Sequence, residues 1–106
     1  MVFTQSGTAA PEKAKPEQNI FKAAQFLTWD RQNKEIYIRT TIGVAGYISL
    51  QNDEPHGRCI ENWYNSDHDK NNEYILGTMR RFPDYHPRGI IMAILEKQCG
   101  SFNYSS

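Results

Sequence analysis

The chain has 106 residues, enough for one compact domain and too few for two cores of ordinary size. Its 12 Lys and Arg balance 12 Asp and Glu and are scattered along the chain. No basic patch is therefore available for nucleic acid or an anionic membrane, and no apolar run approaches the length needed to span a bilayer, so a soluble domain is expected.

Residues 1–18 read as a disordered tail, polar, with Pro11 and Pro16 and no periodic apolar face. "MVFTQSGTAAPEKAKPEQN" has neither a basic n-region nor an apolar h-region; it suits a mature N-terminus with Met1 added, the flexible tail of an exported protein, and equally that of a cytosolic one, so the compartment rests on the cysteines. A single helical domain is expected over 19–100, with 101–106 as a tail. In "IFKAAQFLTW", Ile20, Ala23, Ala24 and Leu27 fall at helical spacing, and Phe21 and Phe26 widen the face. Thr28 is a candidate cap for a second helix starting near Trp29.

"DRQNKEIYIRTTIGVAGYISLQ" carries two signals. Tyr37, Thr41, Val44 and Ile48 make a helical stripe with Ile38, Ile42 and Ala45 beside it. The β-branched density and the Ile36/Ile38 alternation also suit a strand; a long helix is the preferred reading. Gly43 and Gly46 weaken either element, but in a helix they let a neighbouring backbone approach closely.

"NDEPHG" reads as a loop, and "RCIENWYN" as a short helix with Cys59, Trp63 and Ile60 facing inward. "SDHDKNN" offers Ser66, Asp67 and Asp69 as N-caps for "EYILGTMRRF", whose buried stripe is Ile75, Leu76, Met79 and Phe82. Arg80 and Arg81 suit the negative end of that helix, and Pro83 stops it. The last helix begins at Pro87, since the missing proline N–H is an orphan at a first helical position anyway. Ile90, Ile91, Ile94 and Leu95 face the core, and Gly100 closes the helix in a left-handed cap.

Cys59 and Cys99 form no C-x-x-C pattern. A small domain with a modest core gains from a staple, and two cysteines allow one pairing, worth about 4 kcal/mol in the chain-entropy model. Two independent buried thiols are the other reading; the staple is preferred because the pair flanks the folded C-terminal half. It implies an oxidising compartment.

The remaining constellations are weak as chemistry. His56 and Cys59 have the H-x-x-C spacing of two metal ligands, but no second closely spaced pair completes a closed zinc site. No glycine loop precedes either cysteine to form an oxyanion hole. The two carboxylates astride His68 lack the glycine and distal glutamate of a calcium loop. His86, held out of the α region by Pro87, reads as a contact or first-turn cap. Trp29, Trp63, Tyr37, Tyr47, Tyr64, Tyr74 and Tyr85 are many aromatics for a domain this small, and some are candidate anchors of a protein interface.

A long helix ending in "GVAGYI", a loop, a cysteine opening the next segment, a helix closing on "RRFPDYHPRG" and an apolar helix ending in "EKQCG" together resemble the Rap/Tai type. These are periplasmic immunity proteins that neutralise type VI secretion peptidoglycan amidases, small all-helical proteins sharing an architecture with the acid-stress chaperone HdeA. The resemblance covers about residues 20–100. It places Gly46, Tyr47 and Ile48 at the end of the central helix, makes Cys59 and Cys99 a structural disulfide, and sets His86 and Pro87 at the start of the last helix. Many members carry a further cysteine near the start of the central helix; Ile36, Tyr37 and Ile38 stand here instead, so no second disulfide forms.

The expected fold is an all-α bundle of four to five helices with one disulfide, without enzymatic activity, cofactor or metal. The expected function is periplasmic binding of another protein, with inhibition of a cell-wall amidase as the specific form; a homodimer is compatible with it. The candidate partner-binding residues are Asn52, Asp53, Glu54 and His56 of one loop and Asp67, His68 and Asp69 of the other, with Trp63 and Tyr64 as neighbouring anchors. The alternative is an HdeA-like chaperone that senses acid through carboxylates and His56, His68 and His86. A third reading is a small enzyme or metal carrier using His56 and Cys59.

Overall fold

A computed structural model describes residues 20–103. The tail expected over 1–18 and the last three residues of the C-terminal tail lie outside the described residues. Within them the chain forms five helices and no strand: α1 (Ala23–Phe26), α2 (Arg31–Asn52), α3 (Glu54–Ser66), α4 (His68–Arg81) and α5 (Pro87–Cys99). The all-α fold and its disulfide are as expected.

The first helix is a single turn. Gln25 Oε1 accepts from the Lys22 N–H, and the Ala23 and Ala24 N–H groups donate to the carbonyls of Tyr85 and Pro83. The orphan donors of α1 are thus satisfied by the connection between α4 and α5. Thr28 does not cap α2; its hydroxyl donates backwards to the Gln25 carbonyl at 2.6 Å. Asp30 is the cap, accepting from Asn33 N at 2.8 Å, because a carboxylate next to the free N–H groups also meets the helix dipole.

The helical reading of 31–52 holds, but its buried stripe is Ile38, Ile42, Ala45, Gly46 and Ser49, with Val44 and Ile48 turned to solvent. Gly46 meets the expectation of close approach: a Cβ there would lie 3.3 Å from Glu61 Cγ of α3, whereas one on Gly43 would meet nothing within 4 Å.

Neither polar stretch is a loop. Only Asp53 separates α2 from α3, and only Asp67 separates α3 from α4. Each takes an extended conformation and caps the following helix, Asp53 accepting from His56 N and Asp67 from Lys70 N. In "NDEPHG" the turn-forming types serve as a helix start: Asp as cap, Glu54 in the first turn, Pro55 where no N–H is required. Gly57 lets α3 cross against Leu50.

The core joins Phe26 of α1, Ile38 and Ile42 of α2, Ile60 and Tyr64 of α3, Ile75, Leu76 and Met79 of α4, and Ile90, Ile91, Ile94 and Leu95 of α5. Each fully buried aliphatic side chain contributes about 1.5–3 kcal/mol of transfer free energy. Phe82 is not among them and stays 46% exposed. The helix ends at Arg81, and the non-helical φ and ψ of Phe82 (−128° and 62°) swing its ring out of the stripe.

Cys59 and Cys99 form the disulfide, with their Cα atoms 5.7 Å apart. Gly100 has the positive φ expected of glycine (103°), but its ψ of 170° places it in the extended glycine-only region instead of the left-handed helical well. The chain beyond it, expected as free tail, turns back so that Phe102 packs against the core and the His56 ring.

Candidate functional site

The sequence-derived candidates are divided by the fold. Asn52, Asp53 and Glu54 lie at one end of α3, and Asp67, His68 and Asp69 at the other. Thirteen residues of helix separate them by about 20 Å.

Several of these side chains already have work in the fold. Asn52 donates to the Ile48 carbonyl at 2.9 Å, and Glu54 pairs with Arg58 one turn on. His56 is buried; its Nε2–H donates to the Gly100 carbonyl at 2.9 Å, tying α3 to the end of α5. Tyr64 is also buried and donates to Asn72 Oδ1 at 2.8 Å. Its phenol is pushed above the ordinary tyrosine value chiefly by burial, partly offset by that hydrogen bond. Trp63 is half-buried, and Asn71 donates to its carbonyl. His68 donates to Asn65 Oδ1, its ring lying 4.7 Å from that of Tyr64. Among the described residues no group of three or more His, Cys, Asp or Glu is placed to hold a metal ion.

Two clusters of aromatic side chains stand out. Phe21, Phe26, Trp29 and Tyr37 pack together with ring centroids 4.9 to 6.4 Å apart, Phe21 stacked on Trp29 and the other pairs edge-on or tilted, beside the core at the N-terminal end of the described residues. His86 meets this cluster edge-on at Phe21, and the Arg88 guanidinium lies 5.3 Å above the Tyr37 ring. His86 Nδ1 accepts from the Arg88 N–H at 3.0 Å and so caps α5, as expected. Burial first, and then the Arg88 charge, hold the imidazole below its ordinary pKa.

The second cluster borders a groove. Tyr74, Phe82 and Tyr85 are 36%, 46% and 63% accessible and border an open groove of about 360 Å³ between α4 and α5. Ile90, Ala93 and Ile94 form its floor, and among the described residues Arg81 and Lys97 are the charged ones lining it. Phe82 meets Tyr85 edge-on at 5.7 Å, and the Arg81 guanidinium stands 5.9 Å from the Phe82 ring. Tyrosine, phenylalanine and arginine around an apolar floor are the side chains that carry binding energy in protein interfaces. The groove suits a partner segment with aliphatic and acidic side chains.

Tyr74, Tyr85 and Arg81 stand out in the sequence, but the groove does not. It depends on the register change at Phe82 that ends α4, and the signal that locates it is an aromatic flanked by Arg81 and Pro83 at a helix exit.

Fold and surface define a small, disulfide-stapled all-α domain with an aromatic, cation-bordered groove. No protein-family model, curated protein or solved structure matches the chain.

Proposed function

We propose that this is a periplasmic protein-binding protein whose α4–α5 groove takes a segment of its partner, and that the partner is a peptidoglycan amidase which the protein inhibits. The observation that carries the binding reading is the exposed Tyr74, Phe82 and Tyr85 around an apolar floor bordered, among the described residues, by the positive charges of Arg81 and Lys97. The disulfide supports an oxidising compartment. The amidase rests on the resemblance to the Rap/Tai immunity proteins. Inhibition would follow from occlusion: the protein covers the enzyme's cleft and needs no chemistry of its own.

The test is titration calorimetry against purified peptidoglycan amidases of the type VI secretion class, together with protection of cells expressing them. Phe82→Ala/Tyr85→Ala is expected to weaken binding at least about tenfold with an unchanged melting curve. Asn52→Ala/Glu54→Ala and Asp67→Asn/His68→Ala probe the two ends of α3. Loss of binding there and not in the groove variant would move the site to the α3 ends; no binding by the wild type would remove the amidase reading.

A second reading, an acid-activated chaperone, is favoured by one observation. The His86 ring nitrogen that caps α5 accepts a hydrogen bond and loses that role on protonation. Suppression of client aggregation confined to acidic buffer would support it.

A further inference from the structure

The groove between α4 and α5 has a length and a charge pattern as well as an apolar floor. The two helices are joined by residues 82–86 and run antiparallel: Asn71 and Tyr74, early in α4, border a cleft with Gln98, late in α5. Arg81 therefore stands at one end of the groove and Lys97 at the other. From Tyr74 to Arg81 is seven residues of helix and from Gly89 to Lys97 eight, so the lined stretch is two turns, roughly 10–12 Å. Among the described residues the ion pairs are Arg31–Glu35, Arg58–Glu54 and Arg80–Glu73, which leaves both cations of the groove without a carboxylate. A helix dipole accounts for cations in the last turns of α4 and α5. It does not account for the aromatic rings and aliphatic floor between them.

These features restrict what the groove can hold. Helices α4 and α5 spend their backbone groups internally, so an extended segment would find no strand edge to pair with. Its own N–H and C=O groups would face an apolar floor unsatisfied. A helix satisfies its backbone within itself and presents only side chains. On a helix, positions i, i+3, i+4 and i+7 form one stripe two turns long, which is the span of the groove. Charge then sets the two ends of that stripe and the floor sets its middle.

We propose that the groove takes a two-turn amphipathic helix of the partner protein whose stripe reads acidic, aliphatic, aliphatic, acidic at i, i+3, i+4 and i+7. The outer carboxylates meet Arg81 and Lys97, and the aliphatic pair rests on Ile90, Ala93 and Ile94 between the rings of Tyr74 and Phe82. The inference rests on the groove being the binding surface, and it adds the conformation, spacing and charge of the occupant. A second copy of this chain is the poorer occupant. A two-fold contact would set the groove against itself, gathering the cations of both copies where no carboxylate lines the site.

The experiment is a titration, followed by amide NMR, of the oxidised full-length chain with an alanine-based helical peptide carrying Glu, Leu, Leu and Glu at those four positions. Shifts are expected at Thr78, Gly89 and Ala93, with affinity at least about tenfold above that of the same peptide carrying Lys at both ends. Arg81→Glu/Lys97→Glu is expected to invert the preference, which a mere folding defect would not do. Equal binding of the two peptides, shifts that map to α3 instead, or no shift at all would each overturn the proposal. So would equal binding of a peptide of the same composition with a central proline, because the groove would then not require a helix. The amidase titration separates the two readings. Amidase binding lost in Phe82→Ala/Tyr85→Ala but kept in Arg81→Glu/Lys97→Glu would leave the groove as the binding surface and remove the acidic helix. An amidase that does not bind, beside a peptide that binds as expected, would remove the enzyme and keep the helix.

Discussion

At the scale of single residues, His86 couples the fold to pH. Its Nδ1 accepts the Arg88 N–H only while that nitrogen is unprotonated, and burial and the Arg88 charge both favour the neutral ring. A histidine whose folded pKa lies below its unfolded value, about 6.5, binds its proton first in the unfolded chain. The stability it contributes is therefore complete above that pH and is lost as pH falls through the lower folded value. Thermal melts from about pH 7.5 to about pH 5 are expected to show a decline that His86→Ser reduces, because a serine oxygen caps without titrating in that range. The difference should approach the roughly 1 kcal/mol of an N-cap; parallel declines in both proteins would assign the acid sensitivity elsewhere. The cap itself was legible, because Pro87 limits what the preceding residue can do. The exposure of Phe82 was not, since extending a helical stripe by one residue assumes the helix continues, and here it stops at Arg81.

Among the elements, the α2–α3 hairpin is held by a single non-helical residue and by glycine contact. A Cβ on Gly57 would fall 2.5 Å from the Leu50 backbone nitrogen and 2.8 Å from its Cα, and backbone atoms cannot rotate aside. Gly57→Ala is thus expected to cost about 3 kcal/mol as the helices are forced apart. Gly43→Ala is the control: with open space around it, the substitution is expected to stabilise by about 0.5–1 kcal/mol through helix propensity. Urea midpoints of the two variants measure both, and similar values would show that crossing distance is not what Gly57 sets. Composition hid this hairpin, because Asn, Asp, Pro and Gly are turn formers and equally the residues that start a helix next to another. The helix-or-strand ambiguity of α2 has a physical source too: apolar residues on both faces erase the contrast from which a period is read.

Over the whole molecule, the segment Cys99–Phe102 is fastened to α3 by contacts within one helical turn and its continuation. They include the Cys59–Cys99 disulfide, the hydrogen bond from His56 to the Gly100 carbonyl, and the Phe102 ring against the His56 ring. The pairing of the cysteines was legible because only one partner exists for each. The other two contacts were not, since "SFNYSS" has no periodicity and His56 looked exposed in an apparent loop. The disulfide closes a loop of sequence separation 40, worth about 4 kcal/mol in the chain-entropy model. Reduction is then expected to lower the melting temperature by on the order of 20 °C. The contacts are expected to be coupled, because without the covalent tie the end of α5 frays and the ring of Phe102 is no longer held over His56. In a double-mutant cycle, Phe102→Ala should cost about 2 kcal/mol in the oxidised protein and clearly less in Cys59→Ser/Cys99→Ser. Equal costs in both backgrounds would mean that Phe102 docks on its own, leaving the disulfide to act only through the unfolded chain.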